Sequence, residues 1–327
     1  MHVDPPVAVA GLLVGFTVGL TGMGGGALMT PILVLLFKVQ PLAAVSSDLV
    51  AAVIMKPVGG GVHLRRGTVN FALVRWLMVG SVPAAFAGVL VLRQLGDGQV
   101  IQTRVKLALG VALVLAAGSI AVKGVLQARA ARRATAGVAE PRVSPASDGE
   151  PRPFRARRLP TIAVGAVGGL VVGMTSVGSG SLMIVLLMLL YPALTSSELV
   201  GTDLVQAIPL VGSAALGHVL FGDFKLDLTT SLLLGSLPGV YLGARVSSRA
   251  PDGLIRPALA FILLASGLKL VGLGMVQLVL VLVAVALLAT AVCFGLLRGA
   301  YTGPRLAAPA GNTGDASGER ASARRAR

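Results

Sequence analysis

Three ionisable side chains, Asp48, Lys56 and Asp203, stand in stretches that are otherwise almost free of charge. A carboxylate or an ammonium is costly to keep inside an apolar segment, so each is by default a candidate for binding or proton transfer. Asp48 follows Ser46 and Ser47, and Asp203 follows Gly201 and Thr202. Ser47 and Thr202 thus place a hydroxyl directly before each carboxylate. Asp48 and Asp203 are the candidate proton carriers. Their structural alternative is a helix cap, because Asp48 is only seven residues past Pro41. Lys56 follows Asp48 by eight residues, about two helical turns, on a similar face. It either pairs with that carboxylate and meets a substrate, or snorkels to the headgroups beside Arg65 and Arg66. Gln206, close to Asp203, is a neutral polar candidate.

Hydroxyls and glycines supply the second ingredient. Thr21-Gly22-Met23-Gly24-Gly25-Gly26 interrupts an apolar run over residues 7–37, and Thr175-Ser176-Val177-Gly178-Ser179-Gly180 interrupts another over residues 161–190. Each glycine costs a helix about 1 kcal/mol against alanine. A helix that restarts after such a break aims unpaired N–H groups and the positive end of its dipole at whatever lies there. Hydroxyls and N–H groups suit an oxyanion that must also leave. The candidate binding residues are therefore Thr21, Gly22, Gly24, Gly25, Gly26, Thr175, Ser176, Gly178, Ser179 and Gly180, joined by Ser47, Thr202, Lys56 and Gln206. The alternative is close packing, since small residues four apart, such as Gly15/Gly19 and Gly22/Gly26, let helices approach.

The elements that must position these residues are membrane helices. Of 327 residues 55% are hydrophobic and 13% charged, with a mean hydropathy of +0.86. A soluble domain would carry more surface charge. Segments of about 20 residues with almost no charge have the length that spans hydrocarbon. The sequence therefore predicts an all-α polytopic membrane protein. The net charge of +15 sits mainly in two flanks: residues 123–158 contribute nine basic and three acidic side chains, and residues 298–327 six and two. Neither has interleaved aromatics, which argues against nucleic acid; both obey the rule that basic flanks stay in the cytoplasm. Cys293, the single cysteine, can form neither an internal disulfide nor a metal cluster. His63 and His218 have no carboxylate or cysteine at metal-ligand spacing and read as interfacial anchors. No metal and no cofactor is expected.

The halves repeat. A shift of 154 carries Gly19, Thr21, Gly24, Gly26, Leu28 and Met29 onto Gly173, Thr175, Gly178, Gly180, Leu182 and Met183. A shift of 155 carries Asp48 onto Asp203, His63 onto His218, and GSVPAAFAG from Gly80 onto GSLPGVYLG from Gly235. Transporters are commonly built from such duplications. The expected organisation is a membrane repeat at 1–126, a basic disordered linker at 127–160, a second repeat at 161–274, an additional helix at 275–298 and a basic tail at 299–327. Each broken run is either a single crossing with an unwound middle or a re-entrant hairpin. As one helix, residues 7–37 would be about 46 Å long against a core of about 30 Å. With the Arg-rich linker inside, hairpins keep Arg65, Arg66, Arg75 and Arg245 inside as well, and leave Arg93, Arg104, Lys106, Lys225 and Lys269 outside. Two pseudo-symmetric repeats of opposite orientation follow.

GLTGMGGGALMTPIL, Ser46-Ser47-Asp48, His63-Leu64-Arg65-Arg66-Gly67, GSVPAAFAG and their second-half partners resemble the TauE/SafE family of sulfite exporters. The resemblance covers residues 7–126 and 161–271. The long linker, the last apolar run and Lys56 depart from the family's pattern. The resemblance implies a membrane transporter for a small sulfur oxyanion or organosulfonate, working by alternating access between the repeats. Its setting would be the inner membrane, with linker and tail cytoplasmic; lipid, a small anionic solute and a further copy of the chain are the expected partners. The residues lack HExxH, a GxSG serine and GK[ST], so an enzyme is not expected. A non-transporting membrane scaffold is the alternative.

Overall fold

The computed structural model describes residues 4–21, 25–94, 96, 98–135, 156–221, 224–246 and 252–301. Among them lie eleven helices: α1 (Pro5–Thr21), α2 (Gly26–Leu35), α3 (Pro41–Arg65), α4 (Phe71–Gln94), α5 (Gly98–Thr135), α6 (Arg158–Thr175), α7 (Leu182–Leu190), α8 (Ser196–Phe221), α9 (Leu226–Val246), α10 (Asp252–Val271) and α11 (Met275–Tyr301). The glycine clusters end helices as the sequence predicts. The first run splits into α1 and α2, the second into α6 and α7. The described residues up to 282 form one packed unit, and the rest of α11 belongs to a second.

Among the described residues four helices are long and apolar enough to cross a membrane: Phe71–Gln94, Gly98–Leu126, Arg158–Thr175 and Ser197–Phe221. At most 44% of each span is buried within the protein. Leu107, Leu115, Val167, Leu216 and Val219 are among the apolar side chains left facing outward. An apolar surface of that extent belongs against lipid. The chain is a multi-pass helical membrane protein.

Helix α5 runs past the boundary at residue 126, and residues 127–135 are helical rather than linker. The segment QARAARRAT is rich in alanine and arginine, which favour helix whatever the solvent. The remainder of the expected linker up to residue 155, and the tail from residue 302, lie outside the described residues.

Packing joins elements from opposite ends of the sequence. Helix α1 lies along α9, α4 along α6, α3 against α8 and α5 against α10. The contacts recur at the sequence shift. A Cβ on Gly15 would stand 2.4 Å from the Ser236 carbonyl oxygen, and one on Gly169 2.3 Å from that of Ser81. Gly235 meets the Ala8 carbonyl oxygen and Gly80 meets that of Ile162. Ser81 and Ser236 are 155 apart, and Ala8 and Ile162 154 apart. Glycine is required at these crossings because backbone meets backbone.

The same contacts fix direction. Ala8, Leu12 and Phe16 meet Gly235, Gly239 and Gly243 in ascending order, so α1 and α9 run parallel. Val82 meets Ser213 and Val89 meets Gly217, so α4 and α8 run parallel. Ser46 meets His218 while Gly60 meets Ile208, so α3 and α8 run antiparallel.

Candidate functional site

Helix α6 ends at Thr175 because the next residue, Ser176, takes a left-handed conformation at φ 59°. The chain then turns through Gly178 (φ 123°) and Gly180 (φ 99°), values that a side chain would strain, before α7 begins at Leu182. Thr175 Oγ1 holds this turn together: it donates to the Val171 carbonyl and accepts the Val177 N–H at 3.2 Å. Its hydroxyl caps the break and does not face across it. The first break is described only from Gly25 onward, so Gly22 and Gly24 and the side chain of Thr21 lie outside the described residues.

The two breaks meet. A Cβ on Gly26, at the start of α2, would stand 2.1 Å from the Ser176 carbonyl oxygen. Ser176 also bonds across the halves: its Oγ donates to Asp48 Oδ2 at 2.6 Å. Thr30 Oγ1, on α2, donates to the same oxygen at 3.0 Å. Asp48 therefore ties α2, α3 and the second break together while it is 2% exposed. The helix-cap alternative drops out, because these donors are side chains of other elements.

Asp203 occupies the corresponding place on α8 with different donors. Gln206 Nε2 donates to its Oδ1 at 3.0 Å, and the Gly180 N–H, next to the start of α7, donates to its carboxylate. Ser81 Oγ, on α4, donates to Gln206 Oε1 at 3.1 Å. Lys56 lies between the two carboxylates. Its Nζ donates to Ser179 Oγ at 2.5 Å. It is 8% exposed, so it reaches into the protein and does not snorkel. Pairing within α3 loses to pairing across the halves, because α8 and the second break pack directly on that face.

Residues 7–270 match the sequence profile described as "Sulfite exporter TauE/SafE". The chain belongs to the TauE/SafE family. It is 38% identical over 266 residues to "Probable membrane transporter protein YjnA" of Bacillus subtilis (strain 168), covering 81% of this chain and 98% of that one. It is 23% identical over 272 residues to "Probable membrane transporter protein YunE" of the same organism, covering 81% and 96%. No solved structure matches it.

This TauE/SafE protein thus brings Gly26, Ser176, Ser179, Gly180, Asp48, Lys56, Asp203 and Gln206 into one buried cluster at the meeting of the breaks. Gly25 lies beside Met55 at its edge. Ser47 is fully buried with no partner for its hydroxyl. Thr202 turns the other way: its Oγ1 accepts the Asn70 N–H at the α3–α4 turn. Among the described residues no group of His, Cys, Asp and Glu could hold a metal ion.

Three participants escape a reading of the sequence. Thr30 sits in an apolar run and has no polar mate in the other half. Ser81 belongs to a motif recognised for its glycines. His218 is not an interfacial anchor: it is fully buried, its Nε2 donates to the Gly173 carbonyl at 2.8 Å, and its Nδ1 meets Ser46 Oγ at 2.8 Å. A carbonyl only accepts, so Nε2 carries the hydrogen. His63, its mate, is half-exposed at the end of α3 and bonds Thr68 Oγ1. The residue facing His63 is Gly201, where the other half has Ser46. That exchange gives the two histidines different roles.

Proposed function

We propose that the protein carries a small anion, a sulfur oxyanion or an organosulfonate, across the inner membrane by alternating access, at a site between the two halves. One observation supports this above the others: Ser176 of the second break lies against Gly26 of the first and bonds Asp48 of the opposite half. The donors gathered there are the Ser176 hydroxyl, the Ser179 hydroxyl on Lys56, the Gly180 N–H and the Gln206 amide. At present the Ser176 hydroxyl, the Gly180 N–H and the Gln206 amide serve carboxylate oxygens, and the Ser179 oxygen accepts from Lys56. The same set suits the three oxygens of a sulfite or sulfonate group, with Lys56 supplying the fixed positive charge.

In this reading Gly25, Gly26, Gly178 and Gly180 bring backbone close to the solute, together with Gly22, Gly24 and Thr21 of the first break. Asp48 and Asp203 are the candidates for proton coupling. The names of both curated relatives describe transporters, and a carrier role leaves no chemical step for the site to catalyse. The antiparallel register of α3 and α8, and the parallel one of α4 and α8, suit hairpins at the broken runs. Single crossings would reverse both relationships. Two halves of opposite orientation follow, with linker and tail cytoplasmic.

Sulfite flux into proteoliposomes tests the proposal. Saturable uptake that Gly26→Leu abolishes is the expected result. Wild-type vesicles no more permeable than empty liposomes to sulfite, taurine and other small sulfonates would remove it.

A further inference from the structure

The two buried carboxylates stand in the same place in each half, yet their donors differ in kind. Asp203 is held by N–H groups, which only donate: the Gln206 amide nitrogen and the Gly180 N–H. A proton on Asp203 would turn N–H groups toward a weaker acceptor. Asp48 is held by two hydroxyls, Thr30 and Ser176, both on Oδ2. A hydroxyl can donate to a carboxylate or, after rotating, accept from a carboxylic acid. Thr30 has a further place to turn, since a helical threonine can bond the carbonyl four residues back, here Gly26.

Charge points the same way. Two buried carboxylates and one buried ammonium leave the cluster with one unbalanced negative charge. An anion arriving beside Ser176 is repelled by the Asp48 carboxylate until it is neutralised. The other ionisable groups nearby do not supply this. His218 on α8 is turned toward Gly173 and Ser46, Lys123 on α5 acts on Asp203, and Asp227 and Arg245 lie at the two ends of α9. Helix α2 and the second break contribute no charge at all.

We propose that Asp48 alone binds the coupling proton, so that one proton and the anion travel in the same direction, while Asp203 stays ionised as the counter-ion of Lys56. This rests on the anion-carrier reading above. Protonation of Asp48 would also slacken the tie between α2, α3 and the second break, which connects proton uptake to the motion of one half against the other. The proton moves from solvent to Oδ2 and back, and no bond other than O–H forms or breaks.

Infrared difference spectra of the purified full-length protein, taken from about pH 4 to about pH 9, test the assignment without a substrate. The expected result is a carboxylic-acid C=O band that grows on acidification, is missing in Asp48→Asn and persists in the charge-balanced pair Asp203→Asn/Lys56→Gln. A band that survives Asp48→Asn and vanishes in the double variant would overturn it, as would no titrating buried carboxyl in any variant. Proteoliposomes form the second arm. In wild type an acid-outside gradient should accelerate sulfite uptake at least tenfold; in Asp48→Asn the ratio of uptake with and without the gradient should fall to about one, whatever the absolute rate. A gradient response retained in Asp48→Asn would overturn the assignment. If wild-type vesicles move no sulfite, the carrier reading fails while the spectra still decide which carboxyl titrates.

Discussion

Lys56 on α3 donates from Nζ to Ser179 Oγ, 2.5 Å away, in the break between α6 and α7. The most expensive side chain of the first half is thus anchored by the second. Helix α3 and the break lie 123 residues apart in sequence, and they are tied where lipid would otherwise demand an apolar contact. Loss of the lysine has consequences for whichever carboxylate it balances.

Lys56→Gln should therefore destabilise the protein through Asp203. Removing one partner of a buried charge pair costs about 3–5 kcal/mol, because the survivor is left uncompensated. Asp203→Asn in the Lys56→Gln background should restore most of the loss, although each single change is harmful. Thermal unfolding in detergent of the four proteins measures the coupling. Additive losses would mean that the two charges do not serve one another.

His218→Ala should unfold the protein at a lower temperature than His63→Ala. At His218 two buried groups, the Ser46 hydroxyl and the Gly173 carbonyl, lose a partner, at about 1–3 kcal/mol for each. At His63 the partner is Thr68 Oγ1, half-buried at a helix end, and water can replace it. Equal shifts in midpoint would show that the two histidines are equivalent after all.

That contrast marks how far the sequence could be read. The helices, the two breaks and the charged residues between them follow from hydropathy, glycine and the repeat, because these are local or periodic signals. Asp48, Lys56, Asp203, Gln206, Ser176 and Ser179 were legible for the same reason: each is polar in an apolar stretch. What a polar residue bonds was not legible. Lys56 has a carboxylate two turns away on its own helix, yet it reaches another half of the molecule. Ser46 and Gly201 are matched positions, and only the packing of α3 on α8 reveals that one completes a histidine's bonds and the other cannot. Thr30 carried no signal, since threonine is common in apolar helices. The end of α5 was misplaced because composition separates charged from apolar more readily than helix from coil.

Orientation can be checked from outside the cell. In a Cys293→Ser background, cysteines at Lys106 and Lys225 should react with a membrane-impermeant maleimide in intact cells, while cysteines at Arg66 and Arg157 should react only after permeabilisation. Helices α5 and α9 begin at Lys106 and Lys225's ends, and α3 finishes at Arg66's. Labelling of Lys106→Cys and Lys225→Cys from opposite sides would reject hairpins at the broken runs.

Glycine substitutions separate packing from site. Gly169→Ala drives a methyl group into the Ser81 backbone and Gly15→Ala into that of Ser236; each should cost about 1–3 kcal/mol by overpacking. Gly118, in α5, has nothing within 4 Å of an added Cβ, and Gly118→Ala should stabilise by about 0.5–1 kcal/mol. Melting temperatures in detergent report both signs.

Neighbouring glycines of the first break give the sharper contrast. Gly25 is right-handed at φ −57°, and an added Cβ would find Met55 Cε at 3.5 Å, an ordinary contact with a flexible end. A Cβ added to Gly26 would stand 2.1 Å from the Ser176 carbonyl oxygen, where neither backbone can yield without parting the breaks. Gly25→Ala should fold and melt nearly as wild type. Gly26→Ala should displace Ser176 from Asp48 and lower anion flux at least tenfold, with a smaller effect on melting than Gly169→Ala, since the helix-to-helix crossings remain. If Gly26→Ala transported normally, the contact between the breaks would be a packing detail, and the anion would have to cross elsewhere.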